Sequence, residues 1–226
     1  MAEEILPEQG GHSEATLVYK IDKVDFKTFG VYVSKSTGIQ DTPSLKEPQT
    51  VDWPDMHGIF IDMGAPRYNS REIELDCFIK ADGKLDFFNK VRAFLQVFQK
   101  PGFRRLDFWI ATKPLIYYVY LADGVEIDKQ WHEGEMFGTF TLKLIDPFPI
   151  KRMLKQDGTQ VNITLTSDKP VSIFWDVDVV THDIMGEAVL SSHDYPVAGP
   201  HYPVIVGVIE EITNFTSNSD VIWNKY

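Results

Sequence analysis

The sequence predicts a mainly β fold with a single α-helix, divided into a larger part, 17–150, and a smaller part, 151–226. Three observations carry that prediction. Short runs of branched and aromatic residues recur along the chain between Gly, Pro, Asn and Asp, the pattern of strands and their turns. Residues 71–80 alternate with period two, the mark of a half-buried strand. One stretch alone, 84–99, takes up the three- and four-residue spacing of an amphipathic helix.

Taken in order, residues 1–16 carry four Glu and no Lys or Arg, and read as a flexible acidic N-terminal arm. The ordered pattern opens at Leu17-Val18-Tyr19. Phe29–Val33 (FGVYV) reads as a strand. Ser34–His57 is polar and holds Pro43, Pro48 and Pro54, so it cannot be a central strand. At over twenty residues it exceeds an ordinary connection, and loops of that length are functional or disordered. Trp53 lies near its end and needs something to pack on. Gly58–Met63 reads as a strand, broken by Gly64-Ala65-Pro66.

In 71–80, Arg71, Ile73, Leu75, Cys77 and Ile79 point one way, and Glu72, Glu74, Asp76, Phe78 and Lys80 the other. Cys77 thus reads as a small core residue, because a reactive thiol wants exposure and a cationic neighbour. Leu85, Phe88, Val91, Leu95 and Phe98 set the helical stripe, widened by Phe87 and Phe94. Asp82 is the expected N-cap and Pro101-Gly102 the stop. The stripe is expected to cover a sheet. Strands are expected near 104–110, 114–121, 125–132 and 136–146, with Asp123-Gly124 as a hairpin turn and Gly134 at the next reversal. Asp146-Pro147-Phe148-Pro149 closes the series and sets the boundary. Residues 160–165, 171–180, 203–209 and 220–224 read as further short strands, with Met185–Tyr202 a connection.

Net charge and motifs narrow the function. The formal charge is −11 and no basic stripe exists, so direct nucleic-acid binding and anionic-membrane binding are not expected. Arg104-Arg105 is an isolated pair, read as the solvated end of a strand. No apolar run approaches the ~20 residues of a bilayer span, so no membrane insertion is expected. The first twenty residues lack a basic n-region, so a non-exported, reducing setting is expected. The one cysteine excludes an internal disulfide.

No GxSxG, HExxH, P-loop or GxGxxG pattern occurs, so neither an enzyme nor a cofactor is expected. His132-Glu133-Gly134-Glu135 resembles a metal motif only superficially, for lack of a second His at the right spacing. The metal candidates are Asp176, Asp178 and His182, because two carboxylates on one strand face could meet a cation. The competing reading is a solvated strand face. Trp53, Trp131, Trp175 and Trp223 could form a sugar platform, or could equally be core residues.

The order of these features resembles the N-terminal domain of phage distal tail proteins over about residues 17–152. DFKTFGVYV (Asp25–Val33) is similar to the family's opening strand, and a long polar loop follows. HGIFIDMGAPRYNSREIELDCFIK (His57–Lys80) resembles its Gly-strand, turn, Tyr, Arg and outgoing strand, with Gly58, Gly64, Tyr68 and Arg71 in those places. The helix, PGFRRLDF, the strand with Tyr117-Tyr118 and the closing GTFTLKLIDPFPIKR complete the series.

The resemblance implies a β-sandwich with the helix packed alongside, followed here by a small β-rich C-terminal domain. It implies a non-enzymatic structural protein of the virion tail, assembled in the host bacterial cytoplasm. Six copies would form a ring joining tail tube to tail-tip proteins. The 34–57 loop and the N-terminal arm are then candidates for ordering at interfaces. Trp53, Pro54, Met56, Arg67 and Tyr68 are the expected partner-interface residues. A negative charge would suit a channel that passes DNA without gripping it. The alternative is a carbohydrate- or ligand-binding β-sandwich module.

Overall fold

A computed structural model describes residues 17–131 and 134–226. The expected arm, 1–16, and His132-Glu133 lie outside the described residues. The first part contributes β1 (Val18–Ile21), β2 (Val24–Asp25), β3 (Val31–Thr37), β4 (Thr50–Val51), β5 (Phe60–Ile61), β6 (Arg71–Ala81), α1 (Lys84–Phe98), β7 (Arg104–Ile110), β8 (Lys113–Leu121), β9 (Asp128–Trp131) and β10 (Met136–Asp146). The second contributes β11 (Lys151–Lys155), β12 (Gln160–Phe174), β13 (Val180–Asp194), β14 (Val204–Gly207), β15 (Ile212–Ser217) and β16 (Asp220–Asn224). The fold is mainly β, and α1 is the one α-helix among the described residues.

The first sheet is built around β6 and β10, antiparallel from Arg71↔Asp146 to Ala81↔Met136 without a slip. Its order is β2-β1-β7-β8-β10-β6-β3. The free edge of β10 is divided, its first half taken by β9 and its end by β8. The sheet rolls until its ends approach, and the Tyr19 hydroxyl on β1 donates to Ser36 Oγ at the end of β3 across 2.9 Å.

The period-two pattern of 71–80 is realised directly. Ile73, Leu75, Cys77 and Ile79 are buried in the core with Leu106, Tyr117, Leu142 and Leu144. Helix α1 lays Phe87, Phe94 and Val97 into the same core. Phe87 fits because residue 138 is glycine: a Cβ there would stand 2.8 Å from the Phe87 ring.

Two details of α1 differ from expectation. Gly83, not Asp82, stands at the N-cap and offers no side chain, while Asp86 in the first turn accepts the Asp82 N–H at 3.2 Å. The buried stripe centres on Phe87 and Phe94, leaving Leu85 75% and Phe88 53% exposed. Both were expected on the covered face, and instead they project from the helix's first turn beside β9.

The second sheet has the order β13-β12-β14-β11-β16, with β15 on the remaining edge of β12. Strand β12 is one strand where two were expected. Register shifts after Leu165, Ser167 and Val171 absorb the Ser167-Asp168-Lys169-Pro170 break. Strand β13 occupies much of the stretch read as a connection. It is an exposed edge strand, so no apolar alternation announces it.

The two sheets meet across β8, whose Pro114–Val119 run is buried on both faces. Leu115, Tyr117 and Val119 face the first core, while Ile116 and Tyr118 face Met153, Phe174, Val204 and Val206 of the second sheet. The Tyr118 and Phe174 rings stack at 3.9 Å. From the chain's last residues, Trp223 Nε1 donates to Pro114 O and the Tyr226 hydroxyl to Ile116 O, each at 2.9 Å. Burial on both faces is why IYYV reads as an unbroken apolar run.

Arg104 and Arg105 correct the sequence reading, for both are buried. Successive strand residues face opposite sides, and each side supplies a carboxylate. Arg104 pairs with Asp22 at 2.9 Å and Arg105 with Asp107 at 2.7 Å. A buried guanidinium is tolerated only with such a partner.

Candidate functional site

The long polar segment after β3 is a hairpin rather than an irregular loop. It leaves the sheet at Gly38, whose φ of +81° favours glycine. A Cβ on Gly38 would lie 1.9 Å from Glu72 O, so the chain passes β6 with no room for a side chain. The buried Arg71 guanidinium ties this crossing down by donating to Gly38 O at 3.0 Å and to Asp41 O. The Tyr117 hydroxyl donates to Ile39 O at 2.5 Å.

Beyond that anchor the two arms of the hairpin pair. Leu45 bridges Tyr68, and Lys46 N donates to Arg67 O at 2.8 Å. Asp62 N donates to Gln49 O at 3.2 Å, and β4 pairs with β5 through Thr50↔Ile61 and Val51↔Phe60. The tip turns with Met56 N donating to Trp53 O at 3.1 Å. A two-stranded hairpin is marginal by itself in water. This one also carries its apolar side chains exposed: Val51, Trp53 (52%), Met56, Ile59, Phe60 (63%), Ile61 and Met63. A contiguous exposed apolar surface marks a binding site on a soluble protein.

The expected interface residues divide along this arm. Trp53, Pro54 and Met56 come together, exposed, at the tip. Arg67 and Tyr68 stand at the base. Arg67 pairs with Glu211 at 3.1 Å and approaches Glu210 at 3.8 Å, tying the arm to the 3-10 turn Ile209–Glu211 of the second part. Sequence reasoning missed Ile59, Phe60, Ile61 and Met63 as surface residues. Their apolar run reads as a buried strand, and only the lack of a packing partner shows otherwise. Between arm base and sheets lies a cavity of about 760 Å³ lined in part by Pro43, Tyr68, Arg71, Tyr117 and Trp223.

The metal candidates do not converge. Asp176 and Asp178 lie in the turn between β12 and β13 rather than on one strand face. Asp176 is taken up by cations, with Lys23 Nζ at 2.5 Å and Arg105 at 3.6 Å. Partial burial works against its ionisation, but Lys23, the Val177 N–H and Arg105 hold the carboxyl below its ordinary range. Asp178 is exposed and His182 lies apart on β13. Among the described residues no three His, Cys, Asp or Glu side chains group to hold a metal ion. The tryptophans likewise form no common platform. Trp175 is buried, its Nε1 donating to Thr181 Oγ1 at 2.8 Å. Trp223 is half-buried, and only Trp53 and Trp131 are exposed.

Residues 24–145, more than half of the chain, match the phage tail protein RIFT-related domain. The chain belongs to that phage tail protein family. The matched span holds the rolled sheet apart from β1, together with α1 and the whole arm. The phage tail protein also resembles two solved structures. One belongs to the phage P2 baseplate in its activated conformation with Ca, with 7% identity, a TM-score of 0.52 and coverage of 85% of this chain and 99% of that one. The other is SPP1 Dit (gp 19.1), described as a paradigm of the hub adsorption apparatus in phages infecting Gram-positive bacteria. It has 11% identity, a TM-score of 0.49 and coverage of 89% of this chain and 99% of that one. At such identities the P2 likeness shows the fold alone. The tail protein matches no curated protein sequence. No described helix is long and apolar enough to cross a membrane.

Proposed function

We propose that this chain is a non-enzymatic hub subunit of a phage tail, whose copies assemble into a ring of six between the tail tube and the tail-tip proteins. The observation that carries the reading is the arm. A tail protein that keeps Trp53, Met56, Phe60 and Met63 exposed on a two-stranded hairpin has built a surface for another chain. Trp and Met are also side chains enriched at the centres of interfaces. Family membership supports a structural role in the tail, and the fold shared with a protein of the P2 baseplate accords with a place at the tail's end. In this reading the second sheet, 151–226, is the module turned toward the tail-tip proteins.

Light scattering after size exclusion, with negative-stain images of the peak, tests it. The full chain is expected near six times 25.9 kDa with a central hole. Replacing Trp53 and Met56 with Ser is expected to return it to a monomer that stays folded, with its circular-dichroism spectrum and cooperative unfolding retained, since neither side chain is part of the core. A strict monomer that gains thermal stability from a sugar would overturn the reading in favour of a binding module.

A further inference from the structure

We infer that the arm of one copy docks on an aromatic patch at the first turn of α1 in the next copy. This assignment rests on the ring reading and names the contact that would build it. The patch consists of Leu85, Phe88 and Trp131. The Phe88 and Trp131 rings lie 6.4 Å apart, and Trp131 also meets the buried Phe87 edge-on at 5.7 Å. All three patch residues are exposed: Leu85 and Phe88 lie on the face of α1 turned away from the core that Phe87, Phe94 and Val97 fill, and Trp131 ends β9.

Charge selects the occupant. Lys84 Nζ stands 6.0 Å from the Trp131 ring and Lys129 Nζ 5.9 Å from the Phe88 ring, so two cations rim the apolar centre. The nearby Asp86 carboxylate is already engaged by Lys90 at 2.7 Å. Between residues 47 and 66 the arm carries Glu47, Asp52, Asp55 and Asp62 and no Lys or Arg. Asp52 and Asp55 flank Trp53 at the tip. The acidic residues of the apolar arm are complementary to Lys84 and Lys129 at the rings, and such complementarity sets orientation and partner choice.

Placement makes the contact intermolecular. The arm re-enters the sheet at Arg71, the first residue of β6, and α1 begins just after Ala81, its last. At ~3.3 Å per residue the strand holds these two ends roughly 33 Å apart. Each copy therefore offers unlike, complementary surfaces at opposite ends. Unlike surfaces pair head to tail, and such contacts close into a ring when the rotation permits.

The test is a mixing experiment. An arm variant, Trp53→Ser with Phe60→Ser, and a patch variant, Leu85→Ser with Phe88→Ser, should each be monomeric alone. Mixed in equal amounts they retain one intact contact, the arm of the second on the patch of the first. A 1:1 dimer of twice 25.9 kDa is then expected and nothing larger. A charge-reversal pair checks the same contact without removing apolar surface. Lys84→Glu with Lys129→Glu should abolish assembly, and adding Asp52→Lys with Asp55→Lys should restore it. A patch variant that assembles like the unaltered chain, or a mixture that yields no dimer, overturns the patch assignment and leaves the ring reading standing. An unaltered chain that is monomeric at every soluble concentration overturns both.

Discussion

The Lys151 ammonium lies against the Asp146 carboxylate, and the two side chains are 1% and 0% exposed. Asp146 ends β10 and Lys151 opens β11, so the pair closes the proline-rich link between the two sheets. Lys151 Nζ also donates to Ile116 O at 3.3 Å and lies 4.4 Å from the centre of the Tyr117 ring. Burial dominates both groups, pushing Lys151 down to about 8 and Asp146 up, while each partner's charge opposes the shift. Such a pair specifies geometry more than it stabilises, because desolvation consumes most of the attraction.

Removing one partner is therefore worse than removing both. Lys151→Met strands a buried carboxylate and is expected to cost about 3–5 kcal/mol. Asp146→Asn with Lys151→Met is expected to recover most of that loss. Urea denaturation midpoints measure both. A single variant as stable as the double would mean that Asp146 does not depend on its cation.

The sequence suggested a boundary at Asp146–Pro149, yet the cores on its two sides share β8. Calorimetry of the full chain is accordingly expected to show one unfolding transition. Tyr118→Ala, which removes the ring stacked on Phe174, is expected to lower that transition as a whole, by about 3–5 kcal/mol of stability. Two resolved peaks, only one of them moved by Tyr118→Ala, would establish two independent domains instead.

Cys77 gives a pH dependence with a definite sign. Burial pushes its thiol from the ordinary 9.0 up to about 12, and the neighbouring Asp76 charge adds to the rise. In the unfolded chain the thiol ionises near 9, while in the folded chain it stays protonated. The folded state then holds the extra proton, so stability is full below pH 9 and falls as pH rises through 12, at about 1.4 kcal/mol per unit. Cys77→Ala should lower stability at neutral pH and flatten this alkaline limb. The native thiol should also resist a disulfide reagent at pH 8 and react only in denaturant. Rapid native labelling would contradict the burial.

Some of this was legible in the sequence for a physical reason. Strand β6 has one wet and one dry face, so its pattern is written in every residue, and the expected span 71–80 falls one residue short of the observed Arg71–Ala81. Strand β13 is exposed along most of its length, with Ile184 its one buried residue, and its one packed face is too sparsely apolar to leave a clear pattern. Leu85 and Phe88 misled because helical spacing reports which residues share a face, not which face the sheet covers. Phe60 and Ile61 misled in the same way, since an apolar run left exposed is written like a buried one. Arg104 and Arg105 look solvated until the fold delivers Asp22 and Asp107, partners 82 residues away in one case and two in the other.

Gly38 offers a test of the arm's anchor that separates two effects. Its φ is +81° and its missing Cβ leaves room for Glu72 O, whereas Gly58 at the arm's tip has a φ of +77° and nothing within 4 Å of its missing Cβ. Alanine at either position meets the left-handed backbone cost of about 1–2 kcal/mol. Only at position 38 must the backbone also move, and that movement breaks the Arg71 bonds to Gly38 O and Asp41 O. Gly38→Ala is therefore expected to lose at least about 2 kcal/mol more than Gly58→Ala, in the range of buried-network disruption. It should also speed proteolytic cutting within 38–70, which Gly58→Ala should not. Equal losses at the two positions would show that the arm does not cross β6 where the Glu72 carbonyl stands.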